Sequence, residues 1–191
     1  AGDATGGAIA RAFGAEGYTV CVNRRPRHAD TLEALAESIR KAGNKAQAFP
    51  ADARDEEAMV SLVEAIERDI GPIEIAVFNI GANVRFSVTD TTAQVYRKVW
   101  EMACFAGFLA GREAAQRMVE HGRGSIFFTG ATASLRGGDG YAAFSAAKAG
   151  LRMVAQSMAR ELGPRNIHVA HLVIDAAVDT AFVRERIAAE R

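Results

Sequence analysis

Apolar and polar positions along this chain switch repeatedly between a helical and a strand period. Residues 1–17 open on glycines and pass into a helical pattern with Ile9 and Phe13 inward. Tyr18 to Val22 reads as a short buried strand ending in Asn23, Arg24 and Arg25. Asp30, with Glu33 three residues on, has capping-box spacing, and Leu32, Leu35 and Ile39 form the stripe of the helix it opens. Gly43 suits the C′ position of that helix. A strand from about Lys45 to Ala51 leads to Asp52. Asp55 then opens a helix with Met59, Leu62, Val63, Ile66 and Ile70 inward, stopped by Gly71-Pro72. Ile73 to Phe78 is an apolar run interrupted only by Glu74, as expected of a parallel strand buried on both faces. A long helical segment follows from about Thr91 to His121. It carries Val95, Val99, Met102, Phe105, Leu109 and Met118 as its apolar positions. The remaining elements are a strand at Ser125–Thr129, a helix at about Tyr141–Leu162, a strand at about Ile167–Ile174 and a helical tail from Thr180. Strands and helices alternate without linker, repeat or low-complexity stretch. That pattern predicts an α/β fold, a doubly wound parallel sheet with helices on both faces, in a single domain over residues 1–191.

Charge and composition narrow the function classes. Lys+Arg and Asp+Glu number 23 each, so no net field favours nucleic acid or an anionic membrane. No run approaches the roughly 20 apolar residues of a membrane span. The two cysteines, Cys21 and Cys104, lie in apolar runs and read as buried thiols of a reducing compartment, so a cytoplasmic protein is expected. His168 and His171 lie three apart on a predicted strand and so point to opposite faces. With no Cys/His ligand spacing, no metal site is expected. No nucleophile elbow of a serine hydrolase is present either.

Two stretches carry candidate chemistry. The first is the glycine turn that opens the chain, with Gly2, Asp3, Thr5 and Gly6. A glycine-rich turn leading into a helix offers backbone N–H groups and a positive dipole end, which suits a phosphate. The second runs from Ser125 to Gly150. It is a strand that breaks into small and polar residues, a turn with Gly137, Gly138 and Gly140, and an alanine-rich helix bearing Lys148.

These motifs resemble the short-chain dehydrogenase/reductase family over nearly the whole chain, from the glycine turn to Thr180. The resemblance implies a Rossmann-like fold, a bound NADP or NAD, and a carbonyl/alcohol pair on a small-molecule substrate. Of the family's Gly-x-x-x-Gly-x-Gly only the last glycine, Gly6, is present, and Ala4 stands at the middle position. Asn23, Arg24 and Arg25 fall where an acid would favour NAD; two guanidinium groups there suit a 2′-phosphate, so NADP is preferred, with a solvated arginine pair as the alternative. Asp3 stands where phosphate-binding relatives often place a base. Asp52 and Ala53 match the adenine-holding pair, and Phe78-Asn79-Ile80-Gly81 is similar to Asn-Asn-Ala-Gly. Val178 and Thr180 match the Ile-x-Thr whose backbone meets the nicotinamide carboxamide, but the preceding Pro-Gly reads Ile174-Asp175.

The family's tyrosine passes a proton to or from the carbonyl oxygen, with a neighbouring lysine stabilising its phenolate and a serine polarising the substrate. Lys148 matches the lysine, whereas the tyrosine, serine and asparagine positions hold Phe144, Ala131 and Cys104. Tyr141, three residues before Phe144, shares its face in a continuous helix, and Thr132 and Ser134 could supply a hydroxyl. Each also has a plain structural reading, as a packed helix-start aromatic and as turn and cap residues. The resemblance therefore implies either an oxidoreductase with an altered proton donor or a catalytically silent dinucleotide-binding protein, a sensor or the inactive partner of a related subunit. It further implies a homodimer or homotetramer through the long fourth helix and the helix after it, which present Phe105, Phe108, Leu109, Leu151, Met153 and Val154 among small residues, a mixture that suits close helix packing and equally an ordinary core. The family's strand before the glycine turn and its last helix and strand are missing, so the sequence reads as incomplete at both ends.

Overall fold

A computed structural model describes residues 4–176, 178, 179, 183 and 184. They fall into two compact units, Ala1–Asp52 with Ala176–Arg191, and Ala53–Asp175.

In the first unit, α1 (Thr5–Ala15) leads to β1 (Val20–Arg24), then α2 (Ala29–Lys41) and β2 (Ala46–Pro50). The two strands run parallel, with Val20 opposite Ala46 and Arg24 opposite Pro50. Val20 and Val22 bury one face of β1 against Leu32, Leu35, Ala36 and Ile39 of α2 and against Ala10 of α1. The strand starts two residues later than its apolar pattern predicts. Tyr18 instead stays half exposed and packs edge-on against Phe13 at 5.6 Å. The capping-box reading of Asp30 is corrected. Pro26–His28 forms a 3₁₀ turn that feeds directly into α2, so His28 is the cap and Asp30 lies inside the first turn. There its charge favours the positive end of the helix dipole. Glu33 pairs with Arg40 at 2.5 Å. Gly43 follows the helix at φ +86°, the left-handed C′ position its sequence predicts.

The second unit begins with α3 (Glu56–Asp69), capped by Asp55, whose side chain accepts from the Ala58 N–H at 3.0 Å. Three parallel strands follow in sheet order β3 (Ile75–Phe78), β4 (Gly124–Thr129), β5 (Ile167–Leu172). Between them lie α4 (Ala93–Trp100), α5 (Ala106–His121) and α6 (Ala142–Leu162). The long helical segment is continuous, but Glu101–Phe105 widens to π geometry between α4 and α5. Gly107 and Gly111 let α5 close onto its neighbours. A Cβ at Gly107 would lie 2.4 Å from Leu151 Cδ1, and one at Gly111 would lie 2.7 Å from Phe128 Cζ. Ile126, Phe128, Leu109, Met118, Leu151 and Ile167 are fully buried. Strand β3 is half-buried rather than buried on both faces, and among the described strands it pairs with β4 alone.

Parallel sheets flanked by helices make this a Rossmann-like α/β fold. Among the described residues no helix is long and apolar enough to cross a membrane. In such folds ligands meet the carboxyl ends of the strands, and within each unit the candidate residues lie at or just after the ends of its own strands.

Candidate functional site

In the first unit the polar chemistry is at the start of α1 and the end of β1. Thr5 and Gly6 are the first two residues of α1. Among the described residues no side chain caps this helix, and its first turn holds no acid. Gly2, Asp3 and Thr180 lie outside the described residues. The Asn23 side chain donates to the carbonyls of Phe49 at 2.8 Å and Ala51 at 3.1 Å, which locks the ends of β1 and β2 together. Arg24 donates to the Thr31 hydroxyl at 3.1 Å. Burial lowers the pKa of His28, and Arg24, Arg27 and Arg25 lower it further, in that order, which reports a positive field around this loop. Asp52 is half-buried and Ala53 is buried, at the point where β2 has ended. Val178 is exposed.

The second unit holds Lys148 and the substituted positions. Lys148 is 3% exposed and lies on the first half of α6. Its Nζ donates to the carbonyls of Thr129 at 2.8 Å and Ile80 at 3.1 Å, tying the ends of β4 and β3 to one ammonium. Asn79, Ile80 and Gly81 directly follow β3, so the segment similar to Asn-Asn-Ala-Gly reaches the lysine through the Ile80 backbone. Desolvation pulls the lysine down to about 8. An ammonium has three donors, so one N–H remains beyond these two bonds.

The three altered positions come together in one apolar cluster. Phe144, Cys104, Val99, Ala103, Ala143 and Ala147 are its buried members, with Ala131 and Tyr141 packed against them. The Phe144 ring centroid lies 6.0 Å from Lys148 Nζ. Burial raises the pKa of the Cys104 thiol, and the same cause pushes Cys21 up to about 11, so neither is a ready thiolate. Cys104 is buried, whereas Cys21 is only half-buried, short of the full burial its apolar run predicts.

The hydroxyls nearest Ala131 are already engaged. Thr132 donates to the Asp175 carboxylate, and Ser134 donates to the Ala131 carbonyl. The expectation that Tyr141 continues the helix of Phe144 and Lys148 is corrected. Helix α6 begins at Ala142, and Tyr141 precedes it with φ −111° and ψ 20°. Its ring sits 6.4 Å from that of Phe144, with the Arg85 guanidinium 5.9 Å away over its face. Arg85 in turn pairs with Asp139 at 3.0 Å.

Two residues near this site escape sequence reasoning. Asp175 meets Thr132 across 43 positions. His171 packs against Gly130, where a Cβ would lie 2.1 Å from the imidazole Cε1. The strand period does signal the sidedness of the two histidines: His168 meets Phe127 at 5.9 Å and is exposed, while both ring nitrogens of His171 are buried. Among the described residues no group of His, Cys, Asp or Glu could hold a metal.

Comparison with known proteins agrees with this fold. The family model for short chain dehydrogenase matches residues 1–191, and the chain belongs to that family. The 2-dehydro-3-deoxy-D-gluconate 5-dehydrogenase of Formosa agariphila is 29% identical over 164 residues, covering 86% of this chain and 62% of that protein. A short-chain dehydrogenase from Rhodopseudomonas palustris, known by crystal structure, is 52% identical with a TM-score of 0.85, covering 96% of this chain and 84% of that one. A gluconate 5-dehydrogenase from Burkholderia cenocepacia, crystallised with NADP and tartrate, shares the fold at 21% identity and a TM-score of 0.81, covering 86% of this chain and 64% of that one. The chain spans 62–66% of the length of the curated relatives it matches first.

Proposed function

We propose that this chain forms the nucleotide-binding part of an NAD(P)-dependent oxidoreductase for a carbonyl/alcohol pair, in which the usual proton donor has been replaced. The observation that carries this reading is the buried Lys148, held at the ends of β3 and β4 with one N–H to spare, beside an apolar cluster where the family's phenol and hydroxyl are expected. The residues present fit a nicotinamide nucleotide. Among the described residues the first turn of α1 has neither a side-chain cap nor an acid, the field at the end of β1 is positive, and Asp52 and Ala53 follow β2. Arg24 and Arg25, without an acid among them, favour NADP over NAD.

When bound, such a nucleotide supplies or accepts a hydride. The chain's part is to hold it: Lys148 offers its remaining N–H to a ribose hydroxyl, and Asn79, Ile80 and Gly81 supply backbone beside it. Phe144 cannot carry a proton and Ala131 cannot polarise an oxygen. Losing general acid–base catalysis costs about 10²–10⁴-fold, and losing an oxyanion donor about 10²–10³-fold, without the two being additive. Turnover by the family's route is therefore slow in this chain.

A second reading, a silent nucleotide sensor or the inactive partner of a related subunit, is favoured by the engaged hydroxyls of Thr132 and Ser134. Self-association as a homodimer or homotetramer fits the exposure of Tyr96, Trp100, Phe108 and Met153. Leu109 and Leu151 are fully buried and belong to the core instead. The two free cysteines suit a cytoplasmic setting.

Titration with NADPH and NADH, followed by cofactor fluorescence, tests the reading. Micromolar binding with NADPH ahead of NADH is expected. Binding of neither would mean that only the fold is kept. Substrate panels should include sugar-acid ketones, because the matched Formosa agariphila relative is named for such a compound.

A further inference from the structure

Arg85 is fixed at the rim of the apolar cluster, and the proposed function gives it no task. The segment after β3 alternates as an extended chain does. Ala82 and Val84 pack against the cluster, while Asn83 and Arg85 are exposed. The stem of Arg85 lies along Gly140, where a Cβ would come within 2.7 Å of Cγ and 3.1 Å of Nε. Gly140 has φ +74°, so both its conformation and its neighbour favour glycine there. The Phe86 N–H donates to the Gly140 carbonyl at 2.9 Å, which holds the two loops together at this point. The guanidinium stands 5.9 Å from the centre of the Tyr141 ring. That ring packs in turn against the cluster of Phe144 and Ala131.

The fixed stem contrasts with a largely free head. A guanidinium has five N–H donors, and among the described residues Arg85 uses one of them, Nη2 to Asp139 at 3.0 Å. The side chains of this pair are 57% and 94% exposed, and an ion pair so solvated contributes little. Asp139 can therefore turn into water at small cost and leave its place to another anion. A carboxylate meets a guanidinium edge-on through two N–H groups. A dianionic phosphate suits the place less, because Arg85 brings one positive charge and the Asp139 carboxylate stays close by.

We propose that Arg85 is a specificity-determining residue that anchors a substrate carboxylate. The substrate is then a monoanionic acid, with its charged group at the rim and its carbonyl or alcohol carbon toward Phe144 and Lys148. The reacting end of this assignment rests on the proposed function. The anchor itself stands on the geometry of Arg85, Gly140 and Asp139.

Calorimetry with matched probes tests it: straight-chain keto acids led by levulinate, their amides and the matching phosphonates, each with and without NADP⁺. The best acid should bind about tenfold to a hundredfold tighter than its amide, the range of a charge-assisted bidentate contact. Arg85→Gln should abolish that preference and leave NADP⁺ affinity unchanged. Asp139→Asn should strengthen acid binding by about two- to fivefold, because it removes the internal competitor. Acids and amides that bind alike or not at all, or a preference that survives Arg85→Gln, would overturn the proposal. So would phosphonates ahead of carboxylates. An Asp139→Asn protein with level or weaker acid binding would make the pair a clamp between loops and overturn it too. If NADP⁺ does not bind, the proposed function fails, and the acid–amide comparison without nucleotide still decides the role of Arg85.

Discussion

The end of β1 and the end of β4 have kept different things. At β1 a positively charged loop survives, with Arg24, Arg25 and Arg27 acting on His28, in the same unit as a helix start that no described side chain caps. At β4 the lysine survives, but Ala131, Phe144 and Cys104 have joined an apolar cluster. The difference follows from what each task demands. Holding a phosphate needs N–H groups and positive charge, which several sequences can supply. Moving a proton needs one group of suitable pKa at one place. On the proposed reading, Ala4 in the glycine turn changes the first task by degree, whereas Phe144 removes the second outright.

The contrast is broken most strongly by restoring the donor. Phe144→Tyr with Ala131→Ser should raise turnover of a suitable ketone by about 10²–10⁴-fold over the unmodified chain while leaving nucleotide affinity within a few-fold. Equal rates in both proteins would mean that another group, with Tyr141 the first to test by Tyr141→Phe, already does the work.

Lys148 sharpens the comparison through pH. Its pKa falls from 10.5 in the unfolded chain to about 8 in the fold, because burial disfavours the ammonium. Between those values the unfolded state binds more protons, so stability rises with pH across that window, by on the order of 3 kcal/mol. The buried Cys21 thiol, pushed up to about 11, acts in the opposite sense above pH 9, so urea melts read the lysine as the difference between wild type and Lys148→Met, which should move in favour of the wild type from pH 8 to 10.5. A difference that stays level across that window would contradict a buried lysine.

Gly130→Ala forces a methyl group into the His171 ring and should cost about 1–3 kcal/mol, the usual range for overpacking. His171→Ala in the same chain should recover only part of that loss, because the added Cβ would still lie 2.8 Å from the Leu172 carbonyl oxygen. A cycle showing simple additivity would separate the two residues. The smallest effect is expected at β1. Arg24→Ala with Arg25→Ala should weaken NADPH by about tenfold and barely change NADH, as loss of a charge-assisted phosphate contact predicts. Equal loss for both nucleotides would mean that the arginines serve the general field and do not read the phosphate.

Much of the fold is legible in local patterns. The helix and strand periods give the alternation, Asp55 caps α3 as its position predicts, and the strand period separates His168 from His171. What escapes is the product of long-range contact. Capping-box spacing points to Asp30, but Pro26 starts the turn earlier and leaves His28 as the cap. Thr132 reads as a free hydroxyl until β5 brings Asp175 beside it. Gly130 reads as one more small residue until β5 sets His171 against it. The apolar cluster is half legible: each substitution is visible in the sequence, but their meeting around one centre is a property of the fold.

The most direct test of the central claim is to measure NADPH binding and ketone reduction together, in the unmodified protein and in Phe144→Tyr with Ala131→Ser. The account predicts micromolar binding in both and appreciable turnover only in the double variant. Rapid turnover in the unmodified protein, or a double variant that binds NADPH yet reduces nothing the related dehydrogenases reduce, would contradict it.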